Sequence, residues 1–222
     1  MTFPFPFICP RVVGAPPSSL SLIAQFGKDT GSTFTYPVGT QAGDLAVILD
    51  APSQVGTTVP TANIPTGYTQ IGTTETNAVT PACRADNSYK VLTSGDISAG
   101  SATGMLVSGS SNRAFMGIFR ADNPINSVTV TGFQSQSTTG NPTLKNISSV
   151  AGPALIFGQT RASAAVSGAT GTYLSAATEF TNIGTSHHGY YLIQNGSGTA
   201  YTWDIGDAGS WNILQSWALL IS

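Results

Sequence analysis

The chain has 222 residues, 41% of them hydrophobic, only 8% charged, and a net charge of −2. So much apolar content with so little net charge excludes a disordered chain. Eight scattered basic residues exclude a phosphate-binding surface and hence a nucleic-acid partner, and apolar runs no longer than a few residues, such as Leu45 to Leu49, exclude a membrane-spanning helix of about 20 residues. A transmembrane barrel, whose alternating signal is weak, stays open; beside it stands a folded chain whose surface is Ser, Thr, Gly and Asn. Isolated monomers usually keep solubility with mixed charges, so a surface this bland fits a chain that neighbours cover.

Residues 1–19 form a Pro/Phe-rich segment, Thr-Phe-Pro-Phe-Pro-Phe-Ile-Cys-Pro and then Arg-Val-Val-Gly-Ala-Pro-Pro. Alternating proline fixes φ and predicts an extended arm. Phe3, Phe5, Phe7 and Ile8 would be a liability in water, so they are expected to dock, either on a neighbouring subunit or back on their own domain. Met1 to Pro10 has no basic n-region, and its prolines interrupt any apolar one, so no secretory signal is expected. Cys9 and Cys83 therefore read as thiols made in a reducing cytoplasm, joined only if the fold brings them close.

From residue 20 to 222 the chain predicts a single β-sandwich, jelly-roll-like domain. Strands are expected at Ser21 to Phe26, Thr33 to Tyr36, Asp44 to Asp50, Tyr68 to Thr73, Asp86 to Leu92, Arg113 to Arg120, Ser127 to Phe133, Ala154 to Gln159, Tyr173 to Ala177, Gly189 to Gln194, Ala200 to Ile205 and Asn212 to Ile221. The unbroken apolar run Leu-Ala-Val-Ile-Leu at 45–49 predicts a central strand covered on both faces. A Pro-Thr-Gly turn precedes Tyr68, and Gly-, Ser-, Thr- and Asn-rich linkers, Thr93 to Gly104 among them, supply the turn chemistry. No window carries a helical period. About a dozen short strands separated by such turns argue for a sandwich.

Several of these segments, in this order, resemble a known scheme: Gln-Ala-Gly-Asp-Leu-Ala-Val-Ile-Leu at 41–49, Ile-Pro-Thr-Gly-Tyr-Thr-Gln-Ile-Gly at 64–72, Asn-Ser-Tyr-Lys-Val-Leu at 87–92, the strand at 113–120, and Ser-Trp-Ala-Leu-Leu-Ile at 216–221. Their order is similar to that of β-sandwich proteins from the structural gene modules of tailed bacteriophages. The resemblance spans most of residues 20–221 and carries no catalytic or ligand residue. It implies a virion structural protein, tail- or tail-tip-associated, assembled in the host bacterial cytoplasm and contacting other virion proteins. A homo-oligomer, a trimer among the options, follows from the same expectation. A capsid decoration protein laced by the arm is the alternative within that class.

Chemistry is thinly represented. Adjacent strand residues point to opposite faces, so His187 and His188 are not expected to share a metal. Asp204 and Asp207 lie in a Gly-rich loop where carboxylates hold calcium in other settings, although turn formation explains them as well. Trp203, Trp211, Tyr190 and Tyr201 offer stacking faces to a sugar or else fill the core. The first option would make the chain a carbohydrate-binding module for a host surface glycan. Glu75 and Glu179, the only glutamates, fall in apparent loops with no reason to face each other as a glycosidase requires. Neither a nucleophile elbow nor a phosphate-binding glycine loop is present. No catalytic residue, cofactor or metal is predicted, and no enzyme.

Overall fold

The computed structural model describes residues 15–28, 33–78, 82–103, 107–108, 113–137, 145–147, 150, 152–162, 177–180, 187–196, 201–203 and 211–222. In chain order the elements are β1 (Leu20–Lys28), β2 (Thr33–Thr35), β3 (Leu45–Asp50), β4 (Ser53–Gln54), β5 (Thr61–Ala62), β6 (Thr69–Asn77), β7 (Ala82–Val91), α1 (Ser94–Ala99), β8 (Ser101–Thr103), β9 (Val107–Ser108), β10 (Ala114–Ala121), β11 (Val128–Ser137), β12 (Lys145–Ile147), β13 (Ala154–Ala162), β14 (Thr178–Glu179), β15 (His187–Gln194), β16 (Tyr201–Trp203) and β17 (Trp211–Ile221). They form an all-β sandwich.

The first sheet runs β1-β10-β3-β7, all antiparallel. Strand β7 pairs with β3 and then β4 along one side and with β6 along the other, because Tyr89 opposes both Val47 and Thr69 and Cys83 opposes both Ser53 and Asn77. The second sheet has the order β11-β17-β13-β15-β14. Three short pairs, β2–β8, β5–β9 and β12–β16, complete the described structure.

Strand β3 is buried along its whole length. Alternation sends Leu45, Val47 and Leu49 between the sheets, against Leu155, Phe157, Trp217 and Leu219. Ala46 and Ile48 point the other way, into a second cluster with Phe34, Leu92, Ala102 and Met116. The β2–β8 pair and Ile97 of α1 supply that outer cover, so the fold is locally three layers deep around β3. Each large side chain buried this way contributes about 1.5–3 kcal/mol. The expectation of a central strand covered on both faces holds for this physical reason.

Turn chemistry fixes the ends. The Tyr68 amide bonds the Pro65 carbonyl at 3.0 Å, with Gly67 at φ 78°. Before β3, Asp44 accepts from the Gln41 amide at 2.8 Å and receives Arg120 in a two-pronged grip of 2.7 and 2.8 Å. That pair ties the start of β3 to the end of β10.

The segment Thr93 to Gly104, expected as a linker, contains the helix α1. The Thr93 hydroxyl accepts from the Asp96 amide, the Asp96 carboxylate accepts from the Thr93 amide, and Gly100 closes the helix at φ 73°. A capping box is thus its signal; six residues with none buried are too few to show a period. Of the strand expected at Tyr173 to Ala177, residues 173–176 lie outside the described residues, and Ala177 leads into β14. Glu75 and Glu179 sit on β6 and β14 rather than in loops. Among the described residues no helix is long and apolar enough to cross a membrane.

Gly72 shows how tightly the sheets meet at one edge. It has φ 63°, and a Cβ there would fall 2.3 Å from the Phe133 ring of β11. Gly72→Ala is expected to destabilise the fold by about 1–3 kcal/mol through strain and clash together. Urea unfolding of the two proteins measures this, and an unchanged midpoint would show that Phe133 yields without cost.

Candidate functional site

Apolar residues fill the space between the sheets at one end, and polar ones replace them toward the other. On β13 the inward series reads Leu155, Phe157, Gln159, Arg161; on β15 it reads Tyr191, Gly189, His187. Asn87 Nδ2 donates to Gln215 Oε1 at 2.7 Å, and Gln159 Nε2 donates to both Asn87 Oδ1 and Gln215 Oε1, at 2.8 and 2.7 Å. The three amides close a triangle whose corners stand on β7 in one sheet and on β13 and β17 in the other. Gln215 Nε2 extends it to the Ser135 hydroxyl at 3.2 Å.

The triangle also orients a histidine. Both amide hydrogens of Gln159 are spent on oxygens, so its Oε1 must accept, and His187 Nε2 donates to it at 3.2 Å. His187 is fully buried and packs on Phe115 at 4.6 Å between ring centroids. Burial, then the nearby Arg161 charge, pushes it well below its ordinary value, so the imidazole is neutral. Arg161 itself reaches the Ser53 hydroxyl of β4, a second tie between the sheets. This layer positions strands; it is sealed from any substrate.

A third polar group lies on the outer face of the first sheet. Asp50 ends β3 opposite Asp86, is buried, and neither of its carboxyl oxygens makes a hydrogen bond. The adjacent Ala51 amide is spent on the Arg113 carbonyl at 2.9 Å. Burial, and then the Asp86 charge, raises the Asp50 carboxyl well above its ordinary range. Asp86 by contrast is held by Arg84 at 2.5 Å and by the Thr74 hydroxyl.

On the outer face of the second sheet, His188 Nδ1 meets Glu179 Oε1 at 2.6 Å. Its ring stacks with Tyr190 at 6.5 Å and an 11° tilt. Thr160 opposes His188 across the β13–β15 ladder. A carboxylate-oriented imidazole beside a hydroxyl is the raw material of proton transfer. Here His188 Nε2, Thr160 Oγ1 and Ser216 Oγ all lack hydrogen-bond partners, so among the described residues no hydroxyl is joined to the base. His187 and His188 do point to opposite faces, and among the described residues no three His, Cys, Asp or Glu side chains gather as a metal set.

Among the described residues the surface carries open grooves beside Asp44 and Arg120 and beside β1. A groove of about 600 Å³, open and mostly apolar, runs between β1 and the turn after β2, with Ala24, Phe26, Tyr36, Pro37 and Val38 in its lining. Val38 is fully exposed, and Val55 is the other large hydrophobic so exposed among the described residues. Strand β1 is an edge strand: among the described residues it pairs with β10 alone.

The residues singled out in the sequence are placed unevenly. Phe3, Phe5, Phe7 and Ile8, with Cys9, Asp204 and Asp207, lie outside the described residues. Tyr201, Trp203 and Trp211 have described backbone, on β16 and at the start of β17, but their side chains lie outside the description. Tyr190 takes the core-filling option: it is 6% exposed and packs with Val150, Ala154, Ile156 and Ala218, because its alternation on β15 turns it onto an apolar patch. Cys83 is buried on β7 beside Ala85 and Ile213. The amide triangle escaped sequence reading, since Gln159 and Gln215 look like ordinary ends and interiors of apolar strands. Compared with known proteins, the chain matches no protein-family model, no curated protein and no solved structure.

Two outcomes follow. Gln159→Ala strands the oxygen of Asn87 and the donor of His187, and is expected to cost about 3 kcal/mol. The triple change Asn87→Leu, Gln159→Leu, Gln215→Leu removes the three amides at once, leaving His187 Nε2 as the one buried donor without its acceptor, and is expected to be milder than the single one. Denaturant midpoints rank the two, and a triple variant worse than the single one would refute the triangle as a closed unit. For Asp50, a folded value raised above the ordinary 3.8 makes its contribution complete below that value and lost as pH rises toward the folded one. The melting temperature of Asp50→Asn should therefore pull ahead of the parent as pH goes from about 4 to about 8; a constant gap would contradict the raised carboxyl.

Proposed function

We propose that this chain is a structural building block of a larger assembly, a tailed-phage particle, seated at its tail or tail tip. The observation that carries the reading is the edge of β1, unpaired among the described residues, with its apolar groove and fully exposed Val38. Soluble monomers guard long edge strands with charge, proline or cover, and β1 has one charged residue, Lys28, at its very end. An edge and an apolar patch left together in this way suit a surface that another chain covers.

Two further facts support it. Among the described residues, both histidines and two of the buried aspartates are spent on internal ties: His187 on Gln159, His188 on Glu179, Asp44 on Arg120, Asp86 on Arg84. The motifs of the phage-protein resemblance also fall together in the fold, as β3, the Pro65–Tyr68 turn, β7 and β17. Other virion proteins and further copies of the chain are the partners this role requires.

Gold-labelled antibody on purified particles tests the location. Label at the tail or its tip is the expected result. Label spread over the head would replace the tail by capsid decoration, and no label with the antigen accessible would overturn the particle reading.

A further inference from the structure

We infer that the edge of β1 and the groove beside it receive the Phe-Pro segment, residues 3–8, of a neighbouring copy as an added strand. The inference rests on the reading of this chain as an assembly subunit, and supplies the surface through which copies join.

The donor is suited to this by backbone geometry. In an extended chain successive side chains alternate between faces, and successive N–H and C=O groups alternate between edges. Phe3, Phe5 and Phe7 therefore share one face and one edge, while Pro4 and Pro6 share the others. Proline has no N–H. Extended, such a sequence would offer one pairing edge, one aromatic face and one blunted edge. Such a strand can join a sheet and then end it, because a further strand finds no donors on the proline side.

The acceptor matches it. The bulge in β1 falls between Leu22 and Ala24, and from Ala24 to Lys28 the register with β10 is regular. Those residues are the ones that line the groove. Ala24–Lys28 and Phe3–Phe7 are equal in length, so each phenylalanine finds a backbone partner while its ring lies toward Phe26, Tyr36, Pro37 and Val38. The edge carries no repelling charge there, since the ammonium of Lys28 is turned onto the Thr33 carbonyl. Backbone pairing supplies affinity and the apolar pocket supplies selection, as in strand-addition recognition generally.

The way the chain enters β1 favours a second copy as donor. Ser18 and Ser19 are pinned to Asp122, with amides at 2.9 and 3.2 Å and the Ser18 hydroxyl at 2.5 Å. Upstream, Pro16 and Pro17 hold the residues before them extended. The chain thus enters β1 anchored at its Leu20 end, whereas the groove is at the Lys28 end. A copy filling its own groove would have to turn back on itself just before this anchor. Filling the next copy's groove needs no reversal. Each copy then gives one segment and accepts one, a heterologous contact that closes into a ring or continues as a fibre.

Complementation of two full-length variants tests this. Val38→Asp keeps the segment and spoils the groove, and Val38 is fully exposed, so folding is untouched. The triple change Phe3→Ser, Phe5→Ser, Phe7→Ser keeps the groove and spoils the segment. Sedimentation velocity on the parent should show concentration-dependent association, weakened at least tenfold in each variant alone. Mixing the two variants should restore association as far as a heterodimer and no further, because only one intact segment–groove pair remains. A parent that stays monomeric overturns the inference while leaving a tail label on particles to stand by itself. Two impaired variants that fail to complement, or Val38→Asp associating like the parent, would also overturn it.

Discussion

Burial of β3 on both faces is the constraint from which the rest of the structure follows. A strand with Leu45, Val47 and Leu49 on one side and Ala46 and Ile48 on the other cannot sit on the outside of a two-layer sandwich, where one face of each sheet meets water. It needs β10 and β7 as neighbours, the second sheet against one face, and something against the other. The β2–β8 pair and α1 answer that last need. The Asp44–Arg120 grip then makes sense at the mouth of the strand. It satisfies a carboxylate that the buried run drags inward, and couples β3 to the only strand standing between it and the open edge.

Having a core this apolar at one end makes the polar end informative. Three amides, a neutral imidazole and an arginine occupy space that leucines would fill with equal or greater stability. What amides add is direction. A triangle of donors and acceptors fits one sheet-to-sheet register and penalises a slip, which would leave buried groups without partners. For a fold whose strands are long and whose composition is low in charge, that is a useful safeguard, because a one-residue slip would otherwise exchange one apolar face for another at β3 with little penalty.

Legibility in the sequence tracks the locality of the cause. The central strand, the Pro65–Gly67 turn and the Gly43–Asp44 turn are local patterns, and they read correctly from runs and turn residues. The helix α1 was local too, but its evidence was Thr93 three residues ahead of Asp96 and not a period. The amide triangle was illegible because its members are far apart in the chain and meet only once two sheets are stacked; Gln159 in an apolar run carries no mark of its partner Asn87. His187 and His188 show both cases side by side. Alternation predicted opposite faces, yet nothing in the sequence told that one would lean on Gln159 and the other on Glu179. The two options for Tyr190 stayed open for the same reason, as strand parity decides a face but the neighbouring strands decide whether that face is wet.

The least guarded part of the molecule is also where assembly has most to gain. An edge strand is a standing template for another strand, and evolution usually spoils it. In this chain the spoiling is done by position: the bulge at Leu22 to Ala24 disrupts one half of β1 and leaves the half beside the groove regular. A template that accepts only a strand with one pairing edge would add a single layer and stop, so the same sequence can carry an exposed edge and avoid runaway pairing. On the proposed assembly, proline at alternate positions would accomplish this with no charge at all, which accords with a chain that has so few charges to place. Low charge, an edge of β1 that no described strand covers and a Phe-Pro segment would then be one constraint expressed in three places, each unfavourable by itself and mutually compensating.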